Sequence, residues 1–98
     1  MTERLDDATI EAAMLDLEAW AREGETISRS FDCANFDGSI AFVNAVARAA
    51  NAADHHPDIA ISWNDVTLTL STHSAGGLTR KDFDLARTLD ALAQAPPS

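Results

Sequence analysis

Apolar residues in the first third of the chain recur at Ile10, Met14 and Leu17, three or four apart, while Glu11, Asp16 and Glu18 turn elsewhere. That interval predicts an amphipathic helix over Asp7 to Trp20. Gly24 is a turn signal, and in the stretch Thr26 to Phe31 the apolar Ile27 and Phe31 are separated by Ser28, Arg29 and Ser30. Two short strands joined near Gly24 are expected there. Asp37 is placed to cap a second helix, because its carboxylate accepts a hydrogen bond from an early amide that lacks a helical partner. Ile40, Val43 and Ala47 mark one face of that helix, and the run of alanines from Ala41 to Ala53 suits close packing against a sheet or another helix.

From Ile59 the period changes to two. Ile59, Ile61 and Trp63 alternate with Ala60 and Ser62, as in a strand with one buried face, and this parity predicts Trp63 as part of the core. The next strand carries Val66, Leu68 and Leu70 on one side. Thr67, Thr69, Ser71 and, if the strand continues, His73 fall on the other. Gly76-Gly77 breaks the pattern, and Thr79 with Asp82 has the spacing of a capping box, Asp replacing the usual Glu or Gln. Leu78 and Phe83 have the spacing of a hydrophobic staple; Leu85, Ala86, Leu89, Leu92 and Ala93 give the last helix its stripe, and Pro96-Pro97 ends it. The order α-β-β-α-β-β-α, with hairpin-length links, predicts an α+β domain over residues 1–98: a four-stranded antiparallel sheet with three helices on one face.

Charge narrows the partners. With 16 acidic against 7 basic residues and a net charge of −9, the 98-residue chain repels nucleic-acid backbones and anionic membranes. No apolar run approaches the ~18 residues that span a bilayer, and the start of the chain is acidic, so a soluble cytoplasmic protein is expected. Cys33 is the single cysteine, which excludes an intramolecular disulfide and fits a small, partly buried residue. A chain of this size buries only about 60 to 65% of its unfolded surface, and self-association would add to its stability.

All three histidines lie between positions 55 and 73. Imidazole exchanges protons near neutral pH, so this segment is the place to seek chemistry. Pro57 disfavours helical geometry at His56, which ends the second helix there and leaves His55 and His56 at a helix-to-strand junction. Structural roles compete for each residue: a helix C-terminal histidine for His55, a loop residue for His56, a strand-end residue for His73, a capping acid for Asp82. Three imidazoles also suffice for a zinc site with an open position, although adjacent histidines chelate awkwardly. Ser71, Thr72 and Ser74 flank His73 without a nucleophile elbow, and Gly76-Gly77 is too short to cradle phosphate. General acid and base chemistry on a neutral or planar organic substrate remains.

The segment Asp54-His55-His56-Pro57, then Trp63-Asn64, Val66, Leu68 through His73, Gly77-Leu78-Thr79 and Asp82 resembles the pterin-4a-carbinolamine dehydratase family. Trp20, Ile27, Arg29, Phe31, Phe36, Phe42 and the alanine-rich helix extend the resemblance over nearly the whole chain. It implies dehydration of 4a-hydroxytetrahydropterin to quinonoid dihydropterin without metal or organic cofactor. It also implies that His55 and His73 act as acid and base, that Asp82 supports one imidazole, and that His56, Pro57, Asn51 and Thr72 contact the pterin. Asn51 stands where the family usually carries a charged residue, and an amide there hydrogen-bonds an imidazole without lending it charge. Ile59 stands where many members carry an aromatic residue. Members form dimers or tetramers, so a homodimer or homotetramer is expected. Others serve as regulatory dimerisation partners, so a non-catalytic pterin-binding or regulatory module is the competing expectation.

Overall fold

The structure, a computed structural model, describes residues 3–94. Helix α1 covers Asp7–Met14 and is capped by Asp6, whose carboxylate accepts from the Thr9 amide at 2.8 Å. It is shorter than expected. Beyond it the Leu15, Leu17 and Trp20 amides reach back three residues, to Ala12, Met14 and Leu17, so the chain continues as tight turns. A spacing of three serves such turns as well as a helix, and Leu17 and Trp20 still enter the core.

Strands β1 (Ala21–Glu23) and β2 (Thr26–Asp32) form the first hairpin, with Gly24 supplying the positive φ of +60° that its two-residue turn requires. Helix α2 runs Phe36–Ala53. Its cap is Asn35, whose side-chain oxygen accepts from the Gly38 amide at 2.7 Å, and not Asp37, which sits inside the first turn. The buried face is Ser39, Val46 and Ala50, with Val43 half-buried; the expected Ile40 and Ala47 are exposed. Strands β3 (Asp58–Ser62) and β4 (Asp65–Leu70) form the second hairpin, a 3-10 turn follows at His73–Ala75, and helix α3 covers Arg80–Gln94. The Pro96-Pro97 stop expected for α3 lies outside the described residues.

The sheet order is β1-β2-β4-β3, antiparallel throughout. Ile27 and Phe31 register with Leu70 and Val66, and the face they share with Leu68 meets Ile10, Val46, Leu85 and Leu89 of the three helices in one core. The α+β class and the element order are as expected. Asp90 fastens α3 to this face: its Oδ1 accepts from the Trp20 indole at 2.7 Å and from Arg29 at 2.6 Å, while the Arg29 guanidinium lies 4.2 Å above the Phe31 ring. Cys33 is partly buried against the core, and burial pushes its thiol up.

The alternating pattern misleads in β3. All five of its residues are exposed, because β3 is the sheet edge and the helices cover the central strands. Trp63 is not core: it is 64% exposed and occupies the β3–β4 turn at φ +52°, a left-handed conformation rare for so large a residue. The Ser39 hydroxyl donates to its carbonyl at 2.6 Å. No helix among the described residues is long and apolar enough to cross a membrane.

Candidate active site

The start of α3 builds the centre of the site. Leu78 and Phe83 are buried where the staple requires, and Thr79 and Asp82 close the capping box: the Lys81 amide donates to Thr79 Oγ1 at 3.2 Å, and the Thr79 amide donates to Asp82 Oδ2 at 2.9 Å. The Thr72 hydroxyl also donates to Asp82 Oδ2, at 2.8 Å. Thr72 has only one hydroxyl proton. The 2.8 Å contact between the two threonine hydroxyls is therefore a bond that Thr79 donates to Thr72. A carboxylate with no exposed surface is costly, and three charge-assisted donors offset that cost. The third is His55.

His55 reaches Asp82 because of how α2 ends. Asp54 adopts the left-handed conformation at φ +51°, its amide bonds the Asn51 carbonyl at 3.2 Å, and the His55 amide bonds the Ala50 carbonyl at 3.1 Å. This is a Schellman closure, which turns the chain sharply away from the helix axis. His55 Nε2 then lies 2.5 Å from Asp82 Oδ1, with its side chain 11% exposed. A carboxylate only accepts, so neutral His55 carries its proton on Nε2 and a lone pair on Nδ1.

The other expected residues fall on two levels. His56 is exposed, and its Nε2 lies 3.0 Å from Asn51 Oδ1. Asn51 therefore serves His56, not His55, and the charge behind His55 comes from Asp82. Pro57 is half-buried in the link to β3. Thr72, expected against the substrate, is buried with its hydroxyl spent on Asp82 and Thr79, so its side chain supports the carboxylate instead. His73 does not prolong β4, which ends at Leu70. It sits exposed at the start of the 3-10 turn, next to Thr72 in the chain. One imidazole, His55, is thus bonded to the buried carboxylate directly, and the residue that backs the carboxylate from the other side, Thr72, is the chain neighbour of His73.

A hollow of about 160 Å³ is lined by Ala53, His55, Lys81, Asp84, Leu85 and Thr88. Of the three histidines only His55 lines it; His56, Thr72 and His73 take no part. Among the described residues no three His, Cys, Asp or Glu side chains converge as metal ligands. Sequence reasoning had Thr79 only as a cap; that its hydroxyl also holds Thr72 is a contact between two elements, which local spacing does not signal.

Fold and site together define a small α+β domain in which a histidine is bonded to a buried, hydrogen-bonded aspartate. The family model described as "Pterin 4 alpha carbinolamine dehydratase" matches residues 3–92, and the chain belongs to that family. A protein of Nocardia farcinica named "Putative pterin-4-alpha-carbinolamine dehydratase" is 55% identical over 93 residues, covering 95% of this chain and 98% of that one. A crystal structure named transcriptional coactivator/pterin dehydratase, from Brucella Melitensis, superposes with a TM-score of 0.88 at 34% identity over 93% of this chain and 99% of that chain. A pterin dehydratase-like protein named as a RuBisCO assembly factor in the alpha-carboxysome shares the fold, with a TM-score of 0.63 at 22% identity over 79% of this chain and 89% of that chain.

Proposed function

We propose that this protein dehydrates 4a-hydroxytetrahydropterin to quinonoid dihydropterin by histidine acid and base catalysis, in the cytoplasm, returning a tetrahydropterin cofactor to use. Loss of the 4a hydroxyl needs a proton delivered to the leaving oxygen, while the ring nitrogen beside that carbon releases its own proton and supplies the electron pair. His55 and His73 are the two groups assigned to these transfers, and His56 with Pro57 holds the pterin ring. Asp82 fixes the His55 ring and its tautomer. The observation that carries the proposal is the His55–Asp82 pair, backed by Thr72, the chain neighbour of His73, in a chain of this family. Rapid mixing with chemically generated 4a-hydroxytetrahydropterin tests it: the purified protein should accelerate decay well above the buffer rate. A rate equal to buffer alone would abandon the enzyme reading in favour of a pterin-binding or regulatory module.

A homo-oligomer belongs to the same proposal. The edge strand β3 offers its unpaired backbone together with exposed Ile59 and Ile61, a surface suited to pairing with a second copy. Ile61→Lys should lower the mass measured by light scattering, from dimer or tetramer toward a smaller species, while far-ultraviolet dichroism stays unchanged. An unaltered mass would exclude β3 as the interface.

A further inference from the structure

We infer that Arg4 and Glu25 form a clasp that holds the Thr72–Gly77 turn in place, and that they are positioning residues for His73. The turn closes on itself through the Thr72 amide to the Gly77 carbonyl at 3.0 Å and the Gly77 amide to the Thr72 carbonyl at 3.3 Å. His73 projects from it, exposed, so its position is set by whatever fixes the turn. From inside, Thr72 is bonded to Asp82.

From outside, three contacts converge. Arg4 grips Glu25 with both arms of its fork, Nε to Oε2 at 3.0 Å and Nη2 to Oε1 at 2.6 Å. The Glu25 carbonyl accepts from the Ser71 hydroxyl at 2.8 Å, just before the turn, and the Leu5 amide donates to the Leu78 carbonyl at 2.8 Å, just after it. The ion pair lies directly over Gly77: a Cβ added there would stand 2.0 Å from Glu25 Oε2 and 2.7 Å from Arg4 Nε. Gly76 provides the left-handed residue of the turn at φ +74°, whereas Gly77 needs no such freedom. Gly77 is small because the clasp occupies its side-chain space. The same fork holds the Glu25 carboxyl below its usual range, so the pair stays charged wherever imidazole titrates.

An ion pair this exposed contributes little to global stability, so its effect should be local. The kinetic part of the inference rests on the acid/base reading of His73; the structural part does not. Arg4→Gln, Glu25→Gln and the double variant are compared by amide exchange of Thr72 and Gly77, by the His73 ring resonances, and by kcat and KM. Each single variant should speed exchange of both amides about threefold, shift the His73 resonances and lower kcat by a similar factor with KM little changed. The double variant should be no worse than either single one, since the partners act together. Unchanged exchange and resonances in both single variants, or effects that add in full, would overturn the clasp. If His73→Ala turns over normally, kcat ceases to report on the turn, and amide exchange still decides.

Discussion

His73→Ala and His55→Ala are each expected to slow dehydration of 4a-hydroxytetrahydropterin by at least ~100-fold, the usual scale for a lost general acid or base. The two losses should differ in their structural cost. His73 is exposed on a turn, so its removal should change stability by no more than about 0.5 kcal/mol. His55 is one of three donors to a fully buried carboxylate, and removing it leaves Asp82 Oδ1 with one fewer partner, at about 1 to 3 kcal/mol. Rapid-mixing kinetics with thermal unfolding of both variants separates catalysis from folding. Near-normal turnover in both would remove the assignments and leave the histidines as polar surface around a structural aspartate.

Much of this was legible from short-range pattern. The capping box at Thr79 and Asp82, the staple at Leu78 and Phe83, and the alternation of Val66, Leu68 and Leu70 are local consequences of backbone geometry, and each stands as read. Trp63 was misread because strand parity stops where the strand does: β3 ends at Ser62, and Trp63 lies in the turn at φ +52°. Ile59 and Ile61 do stand opposite core residues Leu68 and Val66, yet remain exposed because β3 is the edge of the sheet, a property of the whole fold. The Leu17 and Trp20 positions hid a helix end, since tight turns repeat at nearly the helical interval. The site shows the same division. His55 and Asp82 were both visible as candidates, but their pairing joins residues 27 apart through the Schellman turn at Asp54, and nothing in the local spacing distinguishes Asn51 as the partner of His56 instead.

Asp82 carries the second large effect, and two substitutions divide its roles. Asp82→Ala removes the capping acceptor and strands the Thr79 amide and the His55 Nε2 proton in a buried site. Each buried donor left unpaired costs about 1 to 3 kcal/mol, and the Thr79 amide bond is itself the cap, so the two together cost about 2 to 6 kcal/mol. For a domain of this size each kcal/mol corresponds to a fall in Tm of roughly 4 to 8 °C, so a fall of at least about 8 °C is expected, readable by thermal unfolding. Asp82→Asn keeps the shape and acts differently. Its one carbonyl oxygen is best placed at the Oδ2 position, where it still accepts from Thr72 and the Thr79 amide. The amide nitrogen then faces His55 Nε2 as a donor, so that nitrogen must accept and the ring proton must move to Nδ1. The lone pair that His55 presents outward becomes an N–H. This variant should therefore fold and yet lose about as much turnover as His55→Ala, ~100-fold, with the tautomer change visible in the ¹⁵N shifts of the ring. An Asp82→Asn protein that keeps its proton on Nε2 and turns over at the wild-type rate would show that the carboxylate holds the helix and nothing more.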